Sequence, residues 1–141
     1  MPFFYLQIRK NHLTLKNLDS QKVVSGTANF STERLLIGEF FIAEACLYPL
    51  VSQVLPGFIN QLKRRCLRTH ILIHAQEMLE GGVSQVEQRI MREFTVPSFP
   101  KGYHSLYAAP QTLSDDAVKR IILMGSETLL TSKSDRFMAA I

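Results

Sequence analysis

Hydrophobic and polar positions along the first 30 residues predict three short strands. Branched and aromatic residues predominate at residues 3–9, around Leu13 and Leu15, and at residues 22–30, and polar turn residues separate these runs. Strands joined by such short turns pair as antiparallel neighbours. This part of the chain therefore predicts an antiparallel meander.

A helical pattern follows the third predicted strand. Ser31 or Thr32 is expected to cap the helix, because a side-chain oxygen there can accept a hydrogen bond from the first turn. Glu33 and Glu39 would lie near the positive end of the helix dipole. Apolar residues and one glutamate then keep helical spacing, at Phe40, Phe41, Glu44, Leu47 and Val51.

Leu-Pro-Gly at residues 55–57 is expected to end this helix, because proline lacks the backbone donor that a helix interior needs. A second helical piece is predicted at residues 58–65, with basic residues at its end. They are expected to form a solvated last turn, which the helix dipole favours. The alternative is a docking patch for an acidic protein surface or for lipid headgroups, formed by Lys63, Arg64, Arg65 and Arg68.

The middle of the chain reads as a strand, a turn and a helix in succession. A buried strand is predicted at residues 70–75 and a turn at the Gly81-Gly82 pair. Ser84 can cap the following helix, and Glu87 three residues later completes a capping box. One face of this helix is predicted to be apolar, because hydrophobic residues recur at Val86, Ile90 and Phe94.

A further strand is predicted at residues 103–108, and a last helix at residues 114–124 with Ser114 as its cap and Gly125 as its end. The elements therefore follow the order β-β-β-α-β-α-β-α. Three antiparallel strands followed by right-handed crossovers make an α/β fold with a mixed five-stranded sheet and helices on both faces. This is the ribonuclease-H-like arrangement.

Composition fits one globular domain. The chain has 141 residues, of which 46% are hydrophobic and 20% charged. We expect the domain to span residues 1–126, with a polar tail at residues 127–141. The longest apolar runs fall short of the roughly 18 residues that a membrane span needs. Cys46 and Cys66 have no CxxC spacing, so free thiols in a cytosolic protein are expected.

A ribonuclease-H-like sheet hosts two recurring chemistries, and each needs particular residues at the strand ends. A two-metal nuclease needs carboxylates on adjacent central strands, and an ATP-binding protein needs an Asp and a glycine-rich turn after the first strand. The first strand here ends in Gln7, Arg9 and Lys10, which include neither a carboxylate nor a glycine. Near the end of the fourth strand, His74 is followed by a single acid, Glu77. A metal site is therefore not expected.

Several segments resemble the family of MreB, the bacterial actin homologue that determines rod shape. Residues 84–93, SQVEQRIMRE, resemble its "TQVERRAIRE" helix, and residues 70–75, HILIHA, its preceding strand "RVLVCVP". Residues 38–44, GEFFIAE, are similar to "GVIADFFVTE", and residues 106–110, LYAAP, stand where the family has "FLIEEP". The match covers roughly residues 4–125. It implies the first half of an actin-like protein, without the second domain that would complete a nucleotide cleft.

The departures from this family fall at its nucleotide site. The family's "DLGTAN" phosphate turn corresponds to residues 7–12, where Gln7 replaces the magnesium-orienting Asp and Arg9 replaces the phosphate-contacting Gly. Ala108 replaces the catalytic Glu, and alanine cannot orient or deprotonate water. His74 lies at the usual ligand position of such sheets and is expected to be a hydrogen-bonded structural histidine. The degenerate nucleotide site is therefore expected to comprise Gln7, Arg9, Lys10, His74 and Ala108.

The resemblance and its departures together predict a non-catalytic interaction module without ATPase activity and without a cofactor. It implies a cytoplasmic protein that works in cell-shape or envelope-assembly processes, at the inner face of the membrane. The expected partner is an actin-like filament or an envelope protein, bound through a sheet edge or through the basic residues at 63–68. A homodimer is the alternative. The net charge of +4 permits an acidic partner but does not require nucleic acid.

Two other functions stay open on the sequence alone. A metal-dependent nuclease of the Holliday-junction-resolvase type has a similar length and the same order of elements, and Glu39 or Glu77 would carry its metal. A small-anion or nucleotide sensor would use the positive charge of Arg9, Lys10 and His12. The alternative for these three residues is an exposed basic turn.

Overall fold

The computed structural model of the chain describes residues 3–55 and 68–128. Within these residues lie five strands and three helices. The strands are β1 (Phe3–Arg9), β2 (His12–Asn17), β3 (Lys22–Thr27), β4 (Thr69–Ala75) and β5 (Gly102–Ala108). The helices are α1 (Phe40–Val54), α2 (Gln85–Thr95) and α3 (Asp115–Thr128).

The five strands form one sheet, in the spatial order β3-β2-β1-β4-β5. β1 pairs antiparallel with β2, and β2 with β3, so the predicted meander is confirmed. β4 lies parallel to β1, and β5 lies parallel to β4, because a helical connection precedes each of them. The predicted α/β fold with a mixed five-stranded sheet is therefore confirmed, and β1 lies at its centre.

Helices cover both faces of this sheet. α1 packs on β2 and β3 and against α2, whereas α3 packs on β4 and β5. Side chains alternate between the two faces along each strand. Phe4, Leu6 and Ile8 of β1 are fully buried on the α1 face. Tyr5 and Gln7 point to the α3 face, where the loop before α3 contacts both of them.

The third strand ends earlier than predicted and the first helix begins later. β3 ends at Thr27 and α1 begins at Phe40, and a loop of residues 28–39 joins them. The prediction that Ser31 or Thr32 caps the helix is therefore wrong, and Glu33 lies in the loop and not in the first turn. The N-cap position is taken by Glu39, which makes no side-chain capping hydrogen bond.

The reason is that the loop uses the hydroxyl groups that could have capped a helix. The Ser31 hydroxyl donates to the Leu36 carbonyl at 2.6 Å and accepts from the Asn11 N–H at 3.0 Å. Thr32 Oγ1 accepts from the Leu35 N–H at 3.0 Å, and the Thr32 N–H donates to the Leu35 carbonyl at 2.9 Å. These contacts hold the loop against the β1–β2 turn and delay the helix by two turns.

Ser84 caps α2 as predicted, but Glu87 binds the Ser84 hydroxyl and not the Ser84 N–H that a capping box uses, and the predicted apolar face is partly wrong. Ser84 Oγ accepts from the Glu87 N–H at 3.2 Å and donates to the Glu87 carboxylate at 3.1 Å. Val86, however, is 66% exposed. Gln88 is buried instead, because its side-chain amide donates to the Val83 carbonyl at 3.2 Å. The buried side of α2 comprises Gln88, Met91, Phe94 and Thr95.

The last described helix is longer than predicted. Ser114 Oγ accepts from the Ala117 N–H at 3.2 Å, as expected of a cap. Gly125 does not end α3, which continues to Thr128. A glycine inside a helix costs only about 1 kcal/mol. The packing of Val118 and Ile122, both buried against the sheet, outweighs that cost.

α1 ends at Val54, as the proline at residue 56 predicts. The predicted helical piece at residues 58–65, with Lys63, Arg64 and Arg65, lies outside the described residues, as does the tail from residue 129 onward. Across residues 3–55 and 68–128, no helix is long and apolar enough to cross a bilayer.

Candidate functional site

The carboxyl ends of β1 and β4 lie side by side at the centre of the sheet, where Gln7 is directly beside His74. The chain leaves these two strands in opposite directions, since β1 leads to β2 on one side and β4 leads through α2 to β5 on the other. In open α/β sheets, ligands bind in the crevice at such a point. Ala108 of β5 lies beside Ala75, one strand further along. We refer to this region as the central crevice.

His74 uses both of its ring nitrogens in hydrogen bonds inside the protein. The Tyr5 hydroxyl lies 2.6 Å from His74 Nδ1, and the Leu113 N–H donates to the Tyr5 oxygen at 3.0 Å. His74 Nε2 lies 2.8 Å from the Ala109 carbonyl, which can only accept. Nε2 therefore carries the proton, and Nδ1 accepts from the Tyr5 hydroxyl. The imidazole is neutral and fully buried.

The pKa values of this pair lie far from neutrality. Burial, with a smaller contribution from the nearby positive charge of Arg9, lowers the pKa of His74 from 6.5 to about 4, although the hydrogen bond to Ala109 opposes the shift. Burial likewise raises the pKa of Tyr5 from 10.0 to about 12. A general acid or base works best with a pKa near the operating pH. His74 and Tyr5 are therefore suited to structure and not to proton transfer.

A second set of hydrogen bonds joins the strand ends to the loop before α3. The Thr112 hydroxyl donates to Gln7 Oε1 at 3.0 Å and accepts from the Gln76 side-chain amide at 3.2 Å. Gln7 and Gln76 thus bind to each other through one threonine. Gln76 Oε1 is buried and has no hydrogen-bond partner within residues 3–55 and 68–128. The side chains in this part of the crevice are uncharged amides and a hydroxyl.

The Glu77 carboxylate lies at the crevice and binds the backbone of the β1–β2 turn. The Lys10 N–H donates to Glu77 Oε1 at 2.6 Å. Arg9 and Lys10 are exposed, so their positive charges lie at the rim of the crevice, whereas Ala108 is fully buried. The five residues of the predicted degenerate site thus divide into three in the crevice (Gln7, His74 and Ala108) and two on its rim.

The acids considered for a metal site do not converge. Glu39 lies at the start of α1, whereas Glu77 follows β4 and accepts from the Lys10 N–H. In the described part of the chain, no group of three or more His, Cys, Asp or Glu side chains could hold a metal ion. Cys46 is a free, half-buried thiol whose pKa is raised by burial.

The predicted docking patch is described at one of its four residues. Arg68 is exposed, and its guanidinium lies 3.4 Å from the Tyr103 hydroxyl. Lys63, Arg64 and Arg65 lie outside the described residues. The interpretation of these four residues as a docking patch stays a prediction.

Two members of the crevice were missed by sequence reasoning. Tyr5 could have been found, because it precedes Gln7 by two residues in one strand and must share its face. Thr112 has no such signal. It lies in a loop, and it contacts a residue 105 positions earlier in the chain.

One curated protein resembles this chain over nearly its whole length. The chain is 40% identical over 124 residues to "Uncharacterized protein YjaA" of Escherichia coli (strain K12), and the match covers 86% of this chain and 98% of that protein. No family model matches the chain. No solved structure matches it significantly.

Proposed function

The chain belongs to the family of Escherichia coli YjaA, and we propose that it works as a non-catalytic interaction module built on a ribonuclease-H-like, actin-like half-domain. The proposal rests on one observation above others. In the crevice where such a sheet would bind a ligand, Tyr5, Gln7 and His74 form hydrogen bonds with other groups of the same chain.

The arrangement of the strands supports the ribonuclease-H-like part of this proposal. β1 lies at the centre, a meander of β2 and β3 extends on one side, and β4 and β5 follow in parallel on the other side. Helices lie on both faces. This is the arrangement expected from three antiparallel strands followed by two right-handed crossovers.

The chemistry of the central crevice supports the non-catalytic part. A two-metal site needs hard oxygen ligands on adjacent strands, but the adjacent residues are Gln7 and His74. Gln7 is bound to Thr112, and both nitrogens of His74 are bound to Tyr5 and Ala109. A ligand that entered here would have to break these hydrogen bonds and leave buried groups unpaired.

Glu77 supports the loss of phosphate binding in particular. Phosphate sites in such folds use the backbone N–H groups of the turn after the first strand. In this chain the turn's Lys10 N–H donates to the Glu77 carboxylate at 2.6 Å. An internal anion thus takes the place that a phosphate oxygen would need, and its negative charge opposes a second anion there.

We propose that the partner is an actin-like filament of the MreB type. The chain would bind it in the cytoplasm, at the inner face of the membrane. The support is the resemblance of residues 84–93 and 38–44 to that family. Co-sedimentation of the full chain with MreB filaments of the same organism tests it, with unpolymerised MreB as the control. Saturable pelleting is expected with filaments only, and a chain that stays in the supernatant would reject this partner.

A separate experiment tests the absence of catalysis. The full chain is incubated with Mg²⁺ or Mn²⁺ and either ATP or branched DNA, and we expect neither phosphate release nor cleavage. Cleavage that is lost on Glu39→Gln or Glu77→Gln would overturn the proposal in favour of a nuclease. Thermal stabilisation that rises with ATP or phosphate concentration and is lost on Arg9→Gln would favour an anion sensor instead.

A further inference from the structure

β3 forms one edge of the sheet and has β2 as its sheet neighbour among the described residues. The Ala28 N–H donates to the Asn11 carbonyl of the β1–β2 turn, so alternate residues of β3 direct their backbone groups toward β2. The N–H and C=O groups of Val23, Ser25 and Thr27 therefore point away from the sheet. All six residues of β3 are exposed or half-buried.

This edge has one of the usual features that prevent strands from pairing between molecules, a lysine at its start, and lacks the others. Natural proteins protect edge strands with proline, bulges, inward-pointing charges or other charged side chains, especially lysine. β3 pairs with β2 in an unbroken register of six residue pairs, and its one charged residue is Lys22, at its start. The opposite edge differs, because the last four residues of β5 are buried.

α1 lies directly above this edge. The Cys46 sulfur and a Leu50 methyl lie 3.4 Å from the point where a Cβ on Gly26 of β3 would be. Ile42, four residues before Cys46, and Pro49, three residues after it, share the flank of Cys46, and both are exposed. The one charged residue of α1, Glu44, points to the opposite flank. An uncharged helix flank thus continues the surface of a strand edge whose one charged residue is Lys22, at its start.

We propose that this surface, the β3 edge together with the Ile42–Cys46–Pro49 flank of α1, binds the same surface of a second copy of the chain. A two-fold axis at Ser25 would set β3 antiparallel to its copy, with Val23 opposite Thr27 of the second copy. The two five-stranded sheets would join into one continuous sheet. Two-fold pairing is closed, since each surface is used once.

The spacing of the layers favours a second copy over other occupants. Paired strands lie about 4.8 Å apart. α1 packs on both β2 and β3, so its axis lies about half a strand spacing inside β3. The axes of α1 and its copy would then be about 10 Å apart, which is the distance at which helices pack. A lone peptide strand added to β3 would leave the α1 flank uncovered, whereas a second copy covers strand and helix together.

The expected affinity follows from the size of this surface. β3 and α1 are each about 20 Å long, and two layers of that length bury on the order of 1,000 Å² in total, the lower end for specific interfaces. We therefore expect a dissociation constant in the micromolar range. This inference goes beyond the proposed function, because the chain can pair with itself whether or not it binds a filament.

Sedimentation velocity of the full chain over a concentration series tests the pairing. We expect monomers that convert to dimers without larger species. Ser25→Pro removes an outward N–H while sparing the β2 ladder, and Ile42→Arg places a charge on the α1 flank. Each substitution should raise the dissociation constant of the dimer about tenfold or more. Val86→Arg, a matched change of an exposed apolar residue on α2, should leave it unchanged.

Three results would overturn the proposal. A chain that stays monomeric up to roughly 500 µM, far above the expected range, has no such interface. A dimer that survives both Ser25→Pro and Ile42→Arg uses another surface. Growth into open chains of increasing length would exclude the closed two-fold arrangement.

Disulfide formation gives an independent measure of the register. In a chain with Cys46→Ala and Cys66→Ala, Ser25→Cys would face its own copy with Cα atoms about 5.5 Å apart, a distance that a disulfide can span. We expect mild oxidation to link the dimer through this position. Gln85→Cys, exposed on α2, serves as the control and should stay unlinked. Equal linking of the two variants would contradict the proposed axis.

Discussion

Polar groups at the centre of the sheet and at its β3 edge differ in whether they have hydrogen-bond partners within the chain. In the central crevice, Tyr5, Gln7 and His74 all bind partners inside the same chain. At the edge, the outward backbone groups of Val23, Ser25 and Thr27 have no strand beside them in the described part of the chain. Such a sheet usually receives small ligands at its centre. Here a row of outward backbone groups is available at the edge, where another polypeptide can use it, whereas in the crevice Gln76 Oε1 is a buried acceptor without a partner among the described residues.

The largest effect on stability is expected from a substitution of His74, because both of its ring nitrogens make buried hydrogen bonds. His74→Ala leaves the Tyr5 hydroxyl and the Ala109 carbonyl without their partner and creates a cavity, which should lower the free energy of unfolding by about 3–5 kcal/mol. Urea unfolding measures the loss. His70→Ala, on the same strand and face, removes ring contacts with Phe3 and Tyr103 and should cost clearly less. Equal losses would show that the hydrogen bonds of His74 add nothing.

Acid should weaken the centre. The pKa of His74 is about 4 in the folded chain and 6.5 when exposed, so between these values only the unfolded chain takes up the proton. The neutral His74 therefore makes its full contribution to the free energy of unfolding above pH 6.5. As the pH falls from 6.5 toward 4, the free energy of unfolding decreases by roughly 3 kcal/mol. Burial and the charge of Arg92 also lower the pKa of His104 to about 4, which adds loss in the same direction.

The unfolding free energy at pH 7.5 and at pH 4.5 measures this loss. The His74→Gln variant should show a smaller difference between the two pH values than the unaltered chain. An NMR titration of the His74 ring identifies the group directly. A midpoint near 6.5 would contradict the buried, neutral histidine.

A smaller effect is expected at the rim of the crevice. Thr112→Val removes the hydroxyl that joins Gln7 to Gln76. Because Thr112 is exposed, water can replace part of the lost hydrogen bonding. We therefore expect the free energy of unfolding, measured with urea, to fall by about 1 kcal/mol. Thr112→Ser keeps the hydroxyl and should restore most of the stability. If Thr112→Val left the free energy of unfolding unchanged, the hydrogen bonds of Thr112 to Gln7 and Gln76 would not stabilise the crevice.

The smallest effect on the single chain is expected at the edge. Val23 is 53% exposed on β3. Val23→Lys should change the unfolding free energy of the dilute, monomeric chain by less than about 0.5 kcal/mol. A larger loss would mean that β3 is covered within one chain, which would remove the contrast between centre and edge.

The strands could be predicted from the sequence because their signals are local. Turn residues follow the alternating run of β1 at Lys10-Asn11 and the apolar run of β4 at Gly81-Gly82. The order of elements then determined which neighbours are parallel. The adjacency of Gln7 and His74 follows from this, because both lie near the carboxyl ends of parallel strands.

What could not be predicted depends on contacts between distant parts of the chain. Ser31 has the side chain of a helix cap, but it binds Asn11, which lies 20 residues earlier and has a φ of 56°. Val86 fits an apolar helix face, but the helix is rotated so that Gln88 is buried. Thr112 reaches the crevice only after α3 and its preceding loop have packed on the sheet. Local propensity contains none of this information.

Amide hydrogen exchange on the full chain tests the contrast between centre and edge most directly. The Lys10 amide should be protected at every protein concentration and should not change when Mg²⁺ and ATP are added, because Glu77 binds it internally. The amides of Val23, Ser25 and Thr27 should exchange quickly in dilute solution and slow as the concentration rises. The account would be contradicted if the exchange rates of the edge amides stayed high at every protein concentration. It would also be contradicted if the Lys10 amide exchanged more slowly when nucleotide was added.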